Sequence, residues 1–210
     1  MGFYGRFILP WILDCAMKDK AASERREALI PRAAGAVLEI GIGSGLNLPY
    51  YTAAVTRLHG VDASPEMLAM ARKKIGRLPF PVELTCESAE QLSLADASVD
   101  SVVVTWALCS IPDPLRALHE MRRVLKPGGR LLFVEHGASP DPNVLAWQRR
   151  LNPIWRRIGG GCHLDRAIDH LITTAGFRIE QMRNLYLKGP RPLTYTYEGA
   201  AAAGCTTTAR

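Results

Sequence analysis

The 210-residue chain carries a formal charge of +6 with 48% hydrophobic and 22% charged residues, the composition of a globular domain large enough to bury a core beneath a sheet and its helices. No apolar run approaches the roughly 20 residues that cross a bilayer, and no separate basic domain or stacking surface stands out, so a soluble protein that does not act on nucleic acid is expected. Five cysteines without C-x-x-C spacing indicate neither a disulfide framework nor a zinc ribbon, so no metal site is expected and a reducing cytoplasm is the simplest setting.

From the start of the chain, Phe3, Phe7, Trp11 and Cys15 recur every four residues with Ile8 and Ile12 beside them, the spacing of an apolar helical stripe. Residues 1–30 are expected to form a helical cap, kinked at Pro10. The cap reads as a lid over an apolar pocket or, through Phe3, Phe7 and Trp11 with Arg6 and Lys18, as a peripheral membrane contact. Arg6 stands where the myristoylation pattern needs Ser or Thr, and no small-residue cleavage site follows residues 7–13. Neither lipidation nor a cleaved leader is expected.

Short apolar runs at 36–40, 56–61, 82–85, 101–105 and 130–135 read as buried strands, and helical patterns fall at 65–74 and 114–125. Each of these helices opens on a capping side chain followed by proline, Ser64 with Pro65 and Asp113 with Pro114. Alternation of this kind implies an α/β fold, a mostly parallel sheet with helices on both faces. A helical pattern with two tryptophans and several arginines follows at 143–158. "FRIEQMRNLYL" and "RPLTYTYEG" then read as two strands that pair antiparallel across "KGPRP" and complete seven strands at one edge. One domain is expected, with residues 31–136 as a ligand-binding core, 137–199 as a substrate-side insert with the last strands, and a flexible tail over 200–210.

The stretch "VLEIGIGSG" sets Glu39 directly ahead of Gly41, Gly43 and Gly45 in the first strand-to-helix turn, the usual ligand cradle of open parallel sheets. Asp62 ends the second strand about 20 residues later, where a carboxylate accepts hydrogen bonds from ribose hydroxyls. The loop reads G-x-G-x-G rather than the dinucleotide G-x-G-x-x-G, and a carboxylate beside it would repel a pyrophosphate while favouring a cationic amino group. S-adenosylmethionine combines an ammonium, a ribose and an adenine with no phosphate.

"VLEIGIGSG", "GVDASPEMLAMAR", "ESAEQLSLADASVDSVVVTWAL" and "EMRRVLKPGGRLLFVEH", in this order and spacing, resemble the class I S-adenosylmethionine-dependent methyltransferases over nearly the whole chain. The resemblance implies a Rossmann-like fold with S-adenosylmethionine as cofactor. It puts Gly41, Gly43 and Gly45 around the methionine part, Glu39 near its ammonium and Asp62 at the ribose. It further implies Ala63 and Met67 flanking adenine, Ser88, Ala89 and Glu90 beside its exocyclic amine, and Thr105 and Trp106 near the sulfonium and the incoming nucleophile. Many relatives have an aspartate at the position of Ser88.

"LCSIPDPLRALHEMRRVLKPGGRLLFVEH" followed by "WQRRLNPIWRRIGGGCHLDR" resembles, more narrowly, the small methyltransferase-like group whose animal members are membrane-associated thiol methyltransferases. This implies a small, fairly apolar acceptor, with a thiol first. A phospholipid amine, a quinone-precursor carbon or a non-catalytic cofactor-binding role are the alternatives. A thiol is partly ionised near neutral pH and needs little base. His136, after the fifth strand, is the leading group to accept or position a proton, with His163 second. His59, His119 and His170 fall within strand or helix patterns and read as structural. Cys109 and Cys162 read as buried structural thiols, since direct transfer needs no covalent intermediate.

Overall fold

The computed structural model describes residue 4, residues 8–76 and residues 78–204. Its strands are β1 (Gly35–Ile40), β2 (Val55–Asp62), β3 (Val82–Cys86), β4 (Val99–Thr105), β5 (Leu125–His136), β6 (Phe177–Tyr186) and β7 (Tyr195–Ala203), and they make one seven-stranded sheet in the order β3-β2-β1-β4-β5-β7-β6. β1 to β5 pair in parallel, while β7 runs antiparallel to both of its neighbours, β5 and the outermost β6. The order reverses between β1 and β4, so the carboxyl ends of these two strands form the switch point at which such sheets bind ligands.

The central strands are apolar on both faces, which is why they read as continuous hydrophobic runs. Leu38, Ile40, Val102, Val104, Leu131 and Phe133 face one core with α4 (Pro114–Val124) and α6 (Ile168–Thr174). Val37, Val103, Leu132 and Val134 face a second with α2 (Lys20–Leu29) and α3 (Pro65–Arg72). The expected caps form: Ser64 accepts from the N–H of Met67 and Asp113 from that of Arg116. After α4 the chain enters β5 directly. Asp141 caps α5 (Pro142–Ile158), which continues through Pro153.

Three expectations are corrected. Only a single 3-10 turn, Leu48–Tyr50, follows the glycine loop, where a strand-to-helix turn was expected. Pro49 has no N–H for a helical ladder and steers the residue before it away from the α region. Pro10 does not kink the first helix, α1 (Leu9–Ala16), but stands in its first turn, where a missing N–H costs nothing. Phe3 and Phe7 lie outside the described residues; Ile8, Trp11, Ile12 and Cys15 face solvent, and α1 buries Pro10 and Asp14 instead. Residues 200–203, expected in a flexible tail, are the end of β7, where Ala200 and Ala201 pair with Leu132 and Leu131. Just before them, close packing requires a glycine: a Cβ added to Gly199 would stand 2.1 Å from the Gln181 carbonyl oxygen. Residues 205–210 lie outside the described part.

Candidate functional site

Gly41, Gly43 and Gly45 all adopt left-handed backbone, with φ of 66°, 57° and 76°, a region in which other residues are strained. The Gly41 and Ile42 N–H groups both donate to the Val61 carbonyl, which folds the loop back over the end of β2. There Asp62 accepts from the N–H of Gly43 at 2.9 Å through one oxygen and from that of Ser64 at 2.8 Å through the other. Each oxygen retains a second lone-pair direction for a ligand hydroxyl. Burial pushes the Asp62 carboxyl above its ordinary value, opposed by these two donors.

Beneath the loop, Glu39 is buried and accepts from Asn47 Nδ2 at 2.8 Å and the Tyr51 hydroxyl at 2.7 Å. The Asn47 amide also donates to Thr105 Oγ1 at 3.0 Å, and its carbonyl accepts from Arg26 Nε at 3.0 Å. Burial lifts the Glu39 carboxyl to about 7, with nearby Asp62 adding to the rise and Tyr51, Asn47 and Arg26 opposing it. The Arg26 guanidinium lies 4.9 Å over the Trp106 ring and donates to the Met17 carbonyl, so α2 holds Asn47 and Trp106 in one arrangement. Sequence reasoning missed Asn47, Tyr51 and Arg26. The lone amide in the otherwise apolar "LNLP" run was the available signal for Asn47.

α1 joins the loop through polar groups rather than through its apolar stripe. Asp14 accepts from Ser44 Oγ at 2.5 Å, Lys74 at 2.7 Å and Lys18 at 2.5 Å. Burial alone would raise the Asp14 carboxyl, but these three donors hold it well below the usual range.

On the other side, Trp106 takes a left-handed φ of 51° directly after β4, with its N–H on the Val134 carbonyl. The following turn is held by Glu135, whose buried carboxylate accepts from the N–H groups of Ala107, Leu108 and Cys109 at 2.9, 3.0 and 3.3 Å. Burial and the neighbouring Cys109 raise the Glu135 carboxyl, while the three N–H donors favour its ionised form. His136 is buried next to Glu135, with Nδ1 3.7 Å from Cys162 Sγ and no partner for Nε2. Burial lowers its pKa to about 4. His163 is half-buried and also lowered, by burial and by Arg166 and Arg156.

At the β2 and β3 ends, Ala63 is exposed and Met67 half-buried, with its methyl 3.2 Å from where a Gly43 side chain would begin. Ser88 Oγ accepts the Glu90 N–H, Ala89 is buried, and Glu90 accepts from the Asp113 N–H at 2.7 Å, which ties this turn to α4. The structure thus links Glu39, Thr105, Asp62 and the glycine loop closely, whereas Glu90 is engaged by α4 and His136 lies one strand further along, at β5. Two open grooves of the molecule lie elsewhere, one between Arg57, His59 and Val99 and one between Arg25, Arg32 and Glu198. Among the described residues no group of three His, Cys, Asp or Glu is arranged to hold a metal.

A family model described as a methyltransferase domain matches residues 38–133, from within β1 into β5. The phosphatidylethanolamine N-methyltransferase of Cereibacter sphaeroides is 35% identical over 173 residues, 80% of this chain and 83% of that protein. The chain belongs to the class I S-adenosylmethionine-dependent methyltransferases. This methyltransferase is also 39% identical to rat (Rattus norvegicus) thiol S-methyltransferase TMT1B over 134 residues, 62% of this chain and 54% of the rat protein, so it spans about half the length of that relative. In fold it is similar to the N-methyltransferase NodS of Bradyrhizobium japonicum in complex with S-adenosylhomocysteine, with a TM-score of 0.70 and 20% identity over 95% of this chain and 94% of the other. The cofactor of this methyltransferase is S-adenosylmethionine, and the residues present fit it. Two carboxylates, Glu39 and Asp62, stand at the loop, the nearby Lys74 is paired with Asp14, and no α-helix N-terminus follows the loop to draw a phosphate.

Proposed function

We propose that the chain transfers the methyl group of S-adenosylmethionine to a small, fairly apolar acceptor, a thiol first. The observation that carries the cofactor half is the buried Glu39–Asn47–Thr105 chain of hydrogen bonds beneath a glycine loop whose next acid, Asp62, is anchored by backbone. In this reading Gly41, Gly43 and Gly45 admit the methionine part, Glu39 supplies negative charge below its ammonium, and Asp62 accepts from the ribose. Ala63 and Met67 flank adenine, with Ser88, Ala89 and Glu90 beside its amine. Thr105 and Trp106 border the reacting sulfur. When bound, the cofactor supplies a methyl carbon activated by positive sulfur, so alignment and partial dehydration provide much of the acceleration.

The similarity to rat thiol S-methyltransferase supports the thiol, and so does the character of His136. Moving a proton from a thiol of pKa near 8.5 to an imidazole held at about 4 is uphill by about 6 kcal/mol. His136 is thus a poor general base, and the proposal gives it a positioning role. A thiol that ionises in solvent needs no base from the protein.

A second reading, a phospholipid amine as acceptor, is favoured by one surface. Ile8, Trp11 and Ile12 near and on α1 and Trp147, Ile154 and Ile158 on one stripe of α5 are exposed, the Tyr4 hydroxyl donates to the Ile158 carbonyl, and Gly160 just after α5 lies against Leu9 and Leu13 of α1. Arg150 lies over Trp147, and Arg156 and Arg157 stand nearby in sequence. This is the make-up of a peripheral membrane contact that need not leave the cytoplasm. Mass-spectrometric detection of S-adenosylhomocysteine with alkyl thiols, phosphatidylethanolamine, quinone precursors and small amines separates the readings. Thiol-dependent product is expected; product with phosphatidylethanolamine alone would reverse the order, and cofactor binding without any product would reject catalysis on these acceptors.

A further inference from the structure

Beyond β4 and β5, beside His136, lie two cysteine sulfurs that methyl transfer does not use. The turn of Trp106 to Ser110 carries Cys109, buried, with Sγ 3.7 Å from the Trp106 carbonyl oxygen and 3.6 Å from Ser110 Oγ. The glycine-rich segment after α5 carries Cys162, half-buried and hydrogen-bonded through its N–H to the Gly159 carbonyl. The two segments are stitched together where it matters: the N–H of His163, the next residue, donates to the Cys109 carbonyl at 2.8 Å. Gly161 also packs against this turn, since a Cβ added there would stand 3.3 Å from the Ser110 carbonyl oxygen.

The Cys162 sulfur lies 3.7 Å from His136 Nδ1, and other neighbours favour its thiolate. Trp155 offers a buried indole N–H with no other partner, near enough to influence the thiol. Arg166, which donates to the Leu108 and Ile111 carbonyls, brings positive charge to both cysteines. The neighbouring Cys109 thiol and the Trp155 N–H lower Cys162 despite its burial. The same neighbour, Cys162, and burial push Cys109 well up, so it keeps its proton. One thiol is thus poised to attack and the other to wait, the asymmetry that thiol exchange requires.

We propose that Cys109 and Cys162 are a reversible dithiol–disulfide site whose substrate is a low-molecular-weight disulfide. The Cys162 thiolate attacks one sulfur of the small disulfide, forms a mixed disulfide and releases one small thiolate. The Cys109 sulfur then attacks Cys162, forms the internal disulfide and expels the second small thiolate, which takes the Cys109 proton. Two protein thiols and one small disulfide give one protein disulfide and two small thiols, the first of these taking its proton from solvent. The bond formed would tie the turn carrying Trp106 to the segment after α5. This site is independent of which acceptor is methylated.

The test uses the full chain without substitution. After incubation with glutathione disulfide, remaining thiols are alkylated and the protein is digested without reductant. The expected product is a Cys109 peptide joined to a Cys162 peptide with the loss of two hydrogens, reverting to two alkylatable thiols after dithiothreitol. In Cys109→Ser, Cys162 is expected to stop at the glutathione mixed disulfide, and in Cys162→Ser, Cys109 is expected to remain alkylatable. Alkylation of both Cys109 and Cys162 in the unsubstituted chain, with glutathione only on the exposed Cys15 and Cys86, would overturn the proposal. Mapping in the unsubstituted chain does not depend on either variant folding.

Discussion

A carboxyl group buried beneath a glycine loop carries its own pH dependence. Burial holds Glu39 at about 7, above the ordinary 4.5. As pH rises from about 4.5 to 7 the unfolded chain gives up a proton that the folded chain keeps, so this group lowers the stability of the free protein across that window. If its charge serves the cofactor ammonium, cofactor affinity should rise over the pH range around 7 and binding near pH 6.5 should release a proton. Calorimetry in buffers of different ionisation enthalpy measures this, and Glu39→Gln should flatten the profile. Asp62→Ala should weaken S-adenosylhomocysteine binding by about tenfold or more, roughly the loss of one or two hydrogen bonds to a charged acceptor. It should also lower Tm, because the Gly43 and Ser64 N–H groups lose their acceptor. Unchanged affinity in the folded variant would remove Asp62 from the ribose. His136→Asn, if His136 only positions, should lower kcat while leaving the pH profile governed by the ionisation of the acceptor. A profile that moves with the substitution would assign it the proton.

Turns and helices show why part of the site was legible and part was not. Glu39, the glycine loop and Asp62 are close in sequence, and the chemistry of each is local, so spacing sufficed; the same is true of the Ser64 and Asp113 caps. Asp14 meets Ser44 across 30 residues and Arg26 meets Asn47 across 21, and no periodicity announces such pairs. The apolar stripe of α1 read as a lid over an apolar pocket or a membrane contact, but the buried position next to it, Asp14, is what holds the helix to the loop. Residues 200–203 looked like a tail because all four are alanine, yet they pair with β5 and β6 as the end of β7. Glu135 is a further case, since "VEH" in a strand gives no hint of three N–H groups waiting in another turn. Glu135→Ala should cost at least about 3 kcal/mol, the desolvation penalty of buried donors left unpaired, and Glu135→Gln less. Urea denaturation checks both, and a variant with wild-type stability would show that the turn does not depend on this carboxylate.

Over the whole molecule, a chain of net charge +6 exposes apolar residues on both α1 and α5. Trp11 is 63% exposed, Trp147 55% and Ile154 64%. If these residues meet a lipid surface, the protein should sediment with vesicles containing anionic phosphatidylglycerol more than with neutral phosphatidylcholine, and salt should weaken the effect. Trp147→Glu together with Ile154→Glu should abolish it at unchanged Tm; equal sedimentation of the wild type and this variant would dismiss the surface. The sheet order has a separate implication for how the chain is made. β6 pairs only with β7, and β7 is also the cover for the β5 edge. A ribosome therefore delivers β6 before its partner exists, and a nascent chain of five paired strands keeps an open, largely apolar edge until residues 195–203 emerge. Synthesis halted before that point leaves the template for edge-to-edge aggregation exposed, so the last strand to appear is the one that makes the earlier ones safe.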